Sequence, residues 1–141
     1  SAGQLIDRTG QLLCLPFPSG KHLDALSVTA QGREVFKVKC PGLEFSLSGV
    51  QNKVQQYHAK QNQPAETAAY ALRCIAQAVF QATVNACREY PGLRVIFSGG
   101  VASNSMLRTV MEPLSPVFAA REYSTDNAMG VAVLAHRALE E

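Results

Sequence analysis

The sequence predicts an α/β fold that contains a partly parallel sheet, and three observations lead to this prediction. From Pro64 to about Glu89, apolar residues recur three and four positions apart, which is the spacing of an amphipathic helix. Residues 34–48 alternate instead between apolar and polar side chains, which is the spacing of strands. Two short apolar runs, one ending at Phe97 and one beginning at Val117, alternate with helical segments in the order typical of α/β layers.

The N-terminal part of the chain is predicted to be helical. Residues 4–14 form a short helix-like pattern that includes Asp7 and the apolar residues Leu5, Ile6, Leu12 and Leu13. Pro16 and Pro18 end this helix, because prolines followed by Ser19 and Gly20 favour a turn or loop. Residues 22–26 add a further helical turn.

A β-hairpin is predicted next. Phe36 and Val38 alternate with Lys37 and Lys39, and a second alternating run covers residues 43–48. A Pro-Gly pair separates the two runs, and such a pair favours a tight turn.

Helices and strands alternate in the second half of the chain. A polar amphipathic helix is predicted over residues 50–58, and a long helix begins at Pro64, because proline fits the first turn of a helix. The remaining elements are, in order, a buried strand over residues 93–97, a helix over 103–111, a strand over 117–120, and a final helix capped by Asp126 or Asn127.

Composition limits the classes of protein to which the chain can belong. Its 141 residues fit a single domain, and 47% hydrophobic with 17% charged residues excludes a disordered chain. The net charge of +2 is too small to predict nucleic-acid binding from electrostatics alone. No apolar run approaches the ~18 residues of a membrane span. The four cysteines lack CxxC spacing, and we expect them to be reduced and mostly buried in a cytoplasmic protein.

The segment Ser98-Gly99-Gly100 joins a predicted strand directly to a helix and is the strongest local candidate for a binding site. Glycines allow the backbone to approach a ligand, and a helix N-terminus offers N–H donors to a phosphate. The Asn104 side chain could hydrogen-bond a ribose or a phosphate. A plain strand-to-helix turn has the same pattern, so the residues alone leave both interpretations open.

Asp126 also has two interpretations, because a carboxylate at the start of a helix can cap that helix or ligate a divalent cation. No HxxxH or HxxH spacing connects the three histidines, which are His22, His58 and His136. A metal site made by this chain alone is therefore not predicted.

Five short segments are similar, in the same order, to motifs of the TsaD family of tRNA-modifying proteins. They are Gln4-Leu-Ile-Asp-Arg-Thr-Gly-Gln-Leu-Leu13, Leu15-Pro-Phe-Pro-Ser-Gly20, Phe45-Ser-Leu-Ser-Gly49, Ser98-Gly-Gly-Val-Ala-Ser-Asn104 and Ser124-Thr-Asp-Asn-Ala128. The resemblance spans essentially the whole chain, and five collinear motifs are far more specific than one glycine-rich turn.

The resemblance implies a fold and an activity. The fold is the C-terminal ribonuclease-H-like half of an ASKHA (actin-like ATPase) protein, with a mixed sheet flanked by helices. The activity is the transfer of threonylcarbamoyl from threonylcarbamoyl-AMP to N6 of adenosine 37 in tRNA. The resemblance also implies a cytoplasmic protein with a divalent metal ion (iron, zinc or magnesium) and an adenine nucleotide bound between two halves. Its implied protein partners are a TsaB-like paralogue and an ATPase, and no membrane association is expected.

The resemblance further implies roles for individual residues. Nucleotide or substrate contacts fall on Asp7, Gly20, Asp24, Gly99, Gly100 and Asn104. Asp126 matches a metal-binding aspartate, and no catalytic residue is assigned.

The sequence also departs from the family pattern. Ser19 replaces the first glycine of a Pro-Gly-Gly turn, Gln51 replaces a lysine, and Thr9-Gly10 interrupts a helical stretch. The family's metal-binding HxxxH helix would precede Ser1, so we expect the N-terminal half to be absent and the isolated chain to be inactive.

Two further expectations follow. The alternative to a piece of a transferase is a non-catalytic TsaD-like or TsaB-like module that binds a nucleotide or a partner protein. An exposed apolar face is expected where the other half would dock, and such a face allows self-association.

Overall fold

The computed structural model describes residues 1–120 and confirms an α/β architecture, in which helices predominate over a small parallel sheet. The helices are α1 (Ala2–Leu12), α2 (Gly20–Ser27), α3 (Ser48–Gln61), α4 (Pro64–Glu89) and α5 (Ser105–Met111). The strands are β1 (Ile96–Phe97) and β2 (Val117–Phe118), and short 3-10 helices cover Gly100–Ser103 and Glu112–Leu114. The predicted final helix and Asp126 lie outside the described residues.

Helix α4 is the central element, and α1, α2, α3 and α5 all contact it. It begins at Pro64, as predicted. N–H groups in the first turn of a helix have no partner within the helix, so a proline, which has no N–H, loses nothing there. Its first half is buried on nearly every side and is rich in alanine, which lets neighbouring helices approach closely. The buried alanines of α4 are Ala68, Ala69, Ala71, Ala76 and Ala78.

The buried side chains form two clusters. The larger one joins α1, α2, α3 and α4, with Leu23, Val50 and Ile75 among its most buried members. The smaller one places Leu107 and Met111 of α5 against α4 and the two strands. Val101, in the glycine-rich loop after β1, packs against both clusters, so this loop lies between them.

The predicted β-hairpin is wrong, because the described residues contain no strand between α2 and α3. Residues 31–42, here called the strap, lie along α4 and hydrogen-bond to its side chains. The Phe36 N–H donates to Cys74 Sγ at 3.3 Å, and the Val38 N–H donates to Gln77 Oε1 at 3.0 Å. Side chains of α4 thus take the place of a partner strand. The alternation of apolar and polar residues in the sequence correctly indicated an extended segment, but this segment packs on a helix.

The ends of the strap are held in the same way. The Glu66 carboxylate accepts from the Gln31 N–H at 2.8 Å and from the Gly32 N–H at 3.1 Å. The Asn85 amide donates to the Gly42 carbonyl at 2.6 Å. Polar residues spaced along one side of α4 therefore satisfy backbone groups that a hairpin would have paired.

The predicted buried strand over residues 93–97 is shorter and more exposed than expected. Only Ile96 and Phe97 pair with β2, with Ile96 opposite Val117 in parallel register. Leu93 is 71% exposed and Ile96 is 69% exposed, because residues 1–120 supply no layer over this side of the sheet. Leu93 and Ile96 therefore expose apolar surface, and whether this surface is the predicted docking face stays a prediction.

The cysteines differ from the expectation that most are buried. Cys74 is buried, Cys14 is exposed, and Cys40 and Cys87 are intermediate. All four are free thiols, as predicted. Within residues 1–120, no helix has the length and hydropathy that crossing a bilayer requires.

Candidate functional site

The structure brings Asp24 and Asn104 together, although 80 positions separate them in the sequence. The Asn104 Nδ2 donates to Asp24 Oδ1 at 2.9 Å. Asp24 also accepts from the backbone N–H of Ser105 at 3.1 Å and from its hydroxyl at 2.6 Å. A carboxylate on α2 therefore binds the start of α5.

Asn104 is the N-cap of α5. Its Oδ1 accepts from the Leu107 N–H at 3.0 Å, which satisfies one of the unpaired donors of the first helical turn. Since Nδ2 is bonded to Asp24, both polar atoms of this buried side chain have partners within the protein. The negative charge of Asp24 occupies the positive end of α5, where a phosphate was one predicted occupant.

The glycine pair before this helix is open. Gly99 has a φ of +97°, which L side chains rarely adopt, and Gly100 begins a 3-10 helix. A Cβ at either glycine would meet no other atom within 4 Å. Within residues 1–120, neither backbone N–H donates a hydrogen bond to the chain. The two amides are therefore accessible to an anionic ligand.

Arg108 holds this loop against β2. Its Nε donates to the Ala102 carbonyl at 3.0 Å, and its Nη2 donates to the Ala119 carbonyl at 3.1 Å. The guanidinium also lies 4.7 Å from the centre of the Phe118 ring, within cation–π range. Nothing in the sequence pattern distinguished this arginine from a solvated helix residue.

Asp7 and Gly20 meet at the start of α2. The Ser19 N–H donates to Asp7 Oδ1 at 3.0 Å, and Ser19 Oγ donates to the Pro16 carbonyl at 3.1 Å. Gly20 is the first residue of α2, and a Cβ there would touch only Ile6, at 4.0 Å. Asp7 thus fixes the turn, and Gly20 is not required by its own local packing.

Helix α2 connects the two parts of the site, because it carries both Gly20 and Asp24. The residues predicted for nucleotide contacts therefore gather around α2 and the N-terminus of α5. Ser105 was not predicted, although its place directly after a capping asparagine is the signal that could have found it. No three His, Cys, Asp or Glu side chains within residues 1–120 gather as a metal site, and Asp126 lies outside them.

Comparison with known proteins identifies relatives of the chain. A family model described as tRNA N6-adenosine threonylcarbamoyltransferase, TsaD, matches residues 1–133. A protein of that name from Enterococcus faecalis is 32% identical over 79% of this chain and 34% of its own length. Another from Carboxydothermus hydrogenoformans is also 32% identical, over 94% of this chain and 43% of its own length. The chain thus spans less than half the length of these relatives.

A solved structure has a fold similar to that of this chain. The HypF crystal structure from T. kodakarensis superimposes with a TM-score of 0.58 over 76% of this chain and 14% of that one. At 22% identity this likeness concerns the fold alone. The family match over residues 1–133 shows that the chain belongs to the tRNA N6-adenosine threonylcarbamoyltransferase family.

Proposed function

We propose that the chain is the C-terminal, ASKHA-type half of a protein that transfers threonylcarbamoyl from threonylcarbamoyl-AMP to adenosine 37 of tRNA. The Asp24–Asn104 hydrogen bond is the observation that carries this proposal. It joins two residues for which the family resemblance implied nucleotide contacts, and it positions the open glycine pair beside them. The two relatives described above are named tRNA N6-adenosine threonylcarbamoyltransferases.

The proposed reaction requires stabilisation of the leaving AMP, which these residues can provide. The N6 amine of adenosine attacks the carbamoyl carbon, and the bond from that carbon to the AMP phosphate oxygen breaks. AMP leaves with the electron pair, and the amine loses a proton to solvent. The amides of Gly99 and Gly100 would donate to the phosphate and stabilise the charge that develops on the leaving group.

Asp24, Asn104 and Ser105 act indirectly in this proposal. Their hydrogen bonds fix the residues directly after the glycine pair, so that the donors are aligned before the nucleotide arrives. Asp7 does the same for the turn at Gly20. The described residues do not by themselves fit a metal ion, so no step proposed here passes through one.

A second candidate function is a non-catalytic nucleotide- or partner-binding module. The observation that favours it is the full use of Asn104, whose two polar side-chain atoms are both bonded within the chain. tRNA, a TsaB-like paralogue and an ATPase remain the proposed partners in either case.

Calorimetric titration of AMP and ATP, with Mg²⁺, into the chain and into an Asn104→Ala/Asp126→Ala variant tests the proposal. Binding that the variant loses supports a nucleotide site in this chain. Absence of binding by both proteins would reject such a site in the chain alone. A transfer assay on unmodified tRNA, with the partner proteins and the N-terminal half of a family member added, then separates the candidates, because a non-catalytic module would bind nucleotide without restoring turnover.

A further inference from the structure

The strap presents a row of positive charges to solvent. Arg33, Lys37 and Lys39 occupy odd-numbered positions of this extended segment, and all three are exposed. The even-numbered Phe36 and Val38 instead donate their N–H groups to α4. Side chains at alternate positions of an extended segment share a face, so Arg33, Lys37 and Lys39 lie on one face of the strap, where all three are exposed.

Helix α3 places a further positive charge next to the strap. The Lys53 Nζ lies 5.6 Å from the centre of the Phe36 ring, which places this amine beside the strap. Residues 31–61 contain five basic and two acidic side chains, an excess larger than the +2 of the whole chain. This segment thus carries a net charge of +3, although the overall charge is too small to predict a polyanionic partner.

The three basic side chains of the strap do not stabilise the fold through polar contacts with the described residues. Within residues 1–120, none of Arg33, Lys37 and Lys39 forms a side-chain hydrogen bond or an ion pair. Arg73, by contrast, donates to the Glu34 carbonyl at 2.9 Å and ties the strap to α4. These three cations are therefore available to a ligand, on a backbone that its hydrogen bonds to α4 hold in place.

The spacing suits a linear polyanion better than a single phosphate ion. In an extended segment Lys37 and Lys39 are about 7 Å apart, and the row from Arg33 to Lys39 is about 20 Å long. Along one strand of a duplex, phosphates recur every ~3.4 Å of axis.

We infer that the face of the strap that carries Arg33, Lys37 and Lys39 is a docking surface for an RNA phosphodiester backbone. The inference rests on the proposed function, because a tRNA is the polyanion that the proposed reaction requires. It assigns to Arg33, Lys37 and Lys39 the role of positioning the RNA through its backbone, without reading its sequence.

The test is the affinity of the full chain for a labelled, unmodified tRNA transcript at several salt concentrations. The variant Lys37→Glu/Lys39→Glu is compared with Arg88→Glu/Arg94→Glu, a matched pair of exposed arginines at and beyond the C-terminal end of α4. We expect the lysine variant to bind at least about tenfold more weakly, with a salt slope smaller by roughly 2. Circular dichroism confirms that both variants are folded.

Equal losses in the two variants, or no tRNA binding by the unmodified chain, would overturn the inference. Binding to phosphatidylserine vesicles that depends on the two lysines, together with tRNA binding that does not depend on them, would also overturn it. Failure of the proposed function is distinguishable, because AMP titration does not depend on the strap. Transfer with unchanged tRNA affinity in the lysine variant rejects only the inference.

Discussion

Gly10 and Ser19 occupy complementary space in the packing of α1 against the turn before α2. A Cβ built on Gly10 would overlap the Cβ and Oγ atoms of Ser19, which is almost fully buried. Both positions were expected, from the family resemblance, to depart from the family pattern. In the structure the two positions form a pair, because the Ser19 side chain fills the space that a Cβ on Gly10 would need.

The Gly10→Ala substitution is expected to destabilise the chain by about 1–3 kcal/mol through overpacking. Adding Ser19→Gly is expected to restore most of that loss, since it removes the atoms that the new Cβ would meet. Chemical denaturation of the single and double variants measures the effect. Gly3→Ala is the control, because Gly3 also lies in α1 and a Cβ there meets nothing within 4 Å. Equal effects at Gly10 and Gly3 would contradict the pairing.

The Asp24–Asn104 contact is expected to behave as a coupled pair. Asn104→Asp keeps an acceptor for the Leu107 N–H, but it removes the donor to Asp24 and places two carboxylates together. We expect a loss of about 1–3 kcal/mol, of which the second change Asp24→Asn recovers a large part. Denaturation midpoints of the four proteins give the coupling energy. Strictly additive effects would show that the two residues act independently.

Helix positions could be predicted from the sequence to a large extent. Helix α4 runs from Pro64 to Glu89 as predicted, because a proline starts it, an apolar stripe faces the core, and a Pro-Gly pair follows it. The order of α5 and the two strands was also predictable. These elements depend on local spacing and on residues that start or end a helix.

The strap and the site contacts could not be predicted, because they depend on residues distant in sequence. Alternation in the strap signals an extended backbone, but it does not distinguish a partner strand from the side chains of Cys74 and Gln77. Asp24 and Asn104 were each candidates by family resemblance. Nothing in the sequence indicated that they bond to each other or that Ser105 completes the cluster.

Gly99→Ala is expected to weaken AMP binding by about tenfold or more if the proposed nucleotide site is correct. The φ of +97° is costly for alanine, so the backbone would shift and misalign the amide donors. Calorimetric titration measures the affinity. Gly42→Ala serves as the control, since Gly42 lies in the strap and a Cβ there meets nothing within 4 Å. Unchanged AMP affinity in Gly99→Ala would argue against a role for this loop.

The thiols are expected to react at very different rates. Cys74 is buried, and this burial raises its pKa, so it holds less of the reactive thiolate at mildly alkaline pH. Cys14 is exposed and is expected to be alkylated first. Mass spectrometry after timed iodoacetamide treatment gives the order, and Cys14→Ser should remove the fastest phase. Fast labelling of Cys74 in the folded chain would contradict the described packing of the strap on α4.

Glu66 is expected to make the attachment of the strap depend on pH. The N–H groups of Gln31, and then of Gly32, donate to its carboxylate and hold its pKa below the ordinary value of 4.5. A group whose pKa is lowered on folding stabilises the folded state above its unfolded pKa, and the stabilisation disappears as the pH falls through the folded pKa. The contribution of Glu66 is therefore complete at neutral pH and is lost in acid below 4.5.

The measurement is the stability of Glu66→Gln relative to the unmodified chain, at neutral pH and in acid. We expect the variant to be less stable at neutral pH, because its neutral amide is a weaker acceptor for the two N–H groups. The stability difference between the two proteins should shrink in acid, where Glu66 is itself protonated. In the unmodified chain, the protection of the strap amides from hydrogen exchange should fall over the same pH range. Glu112→Gln is the control, since within residues 1–120 its carboxylate accepts no hydrogen bond. A stability difference for Glu66→Gln that does not change with pH would show that the carboxylate charge does not hold the strap.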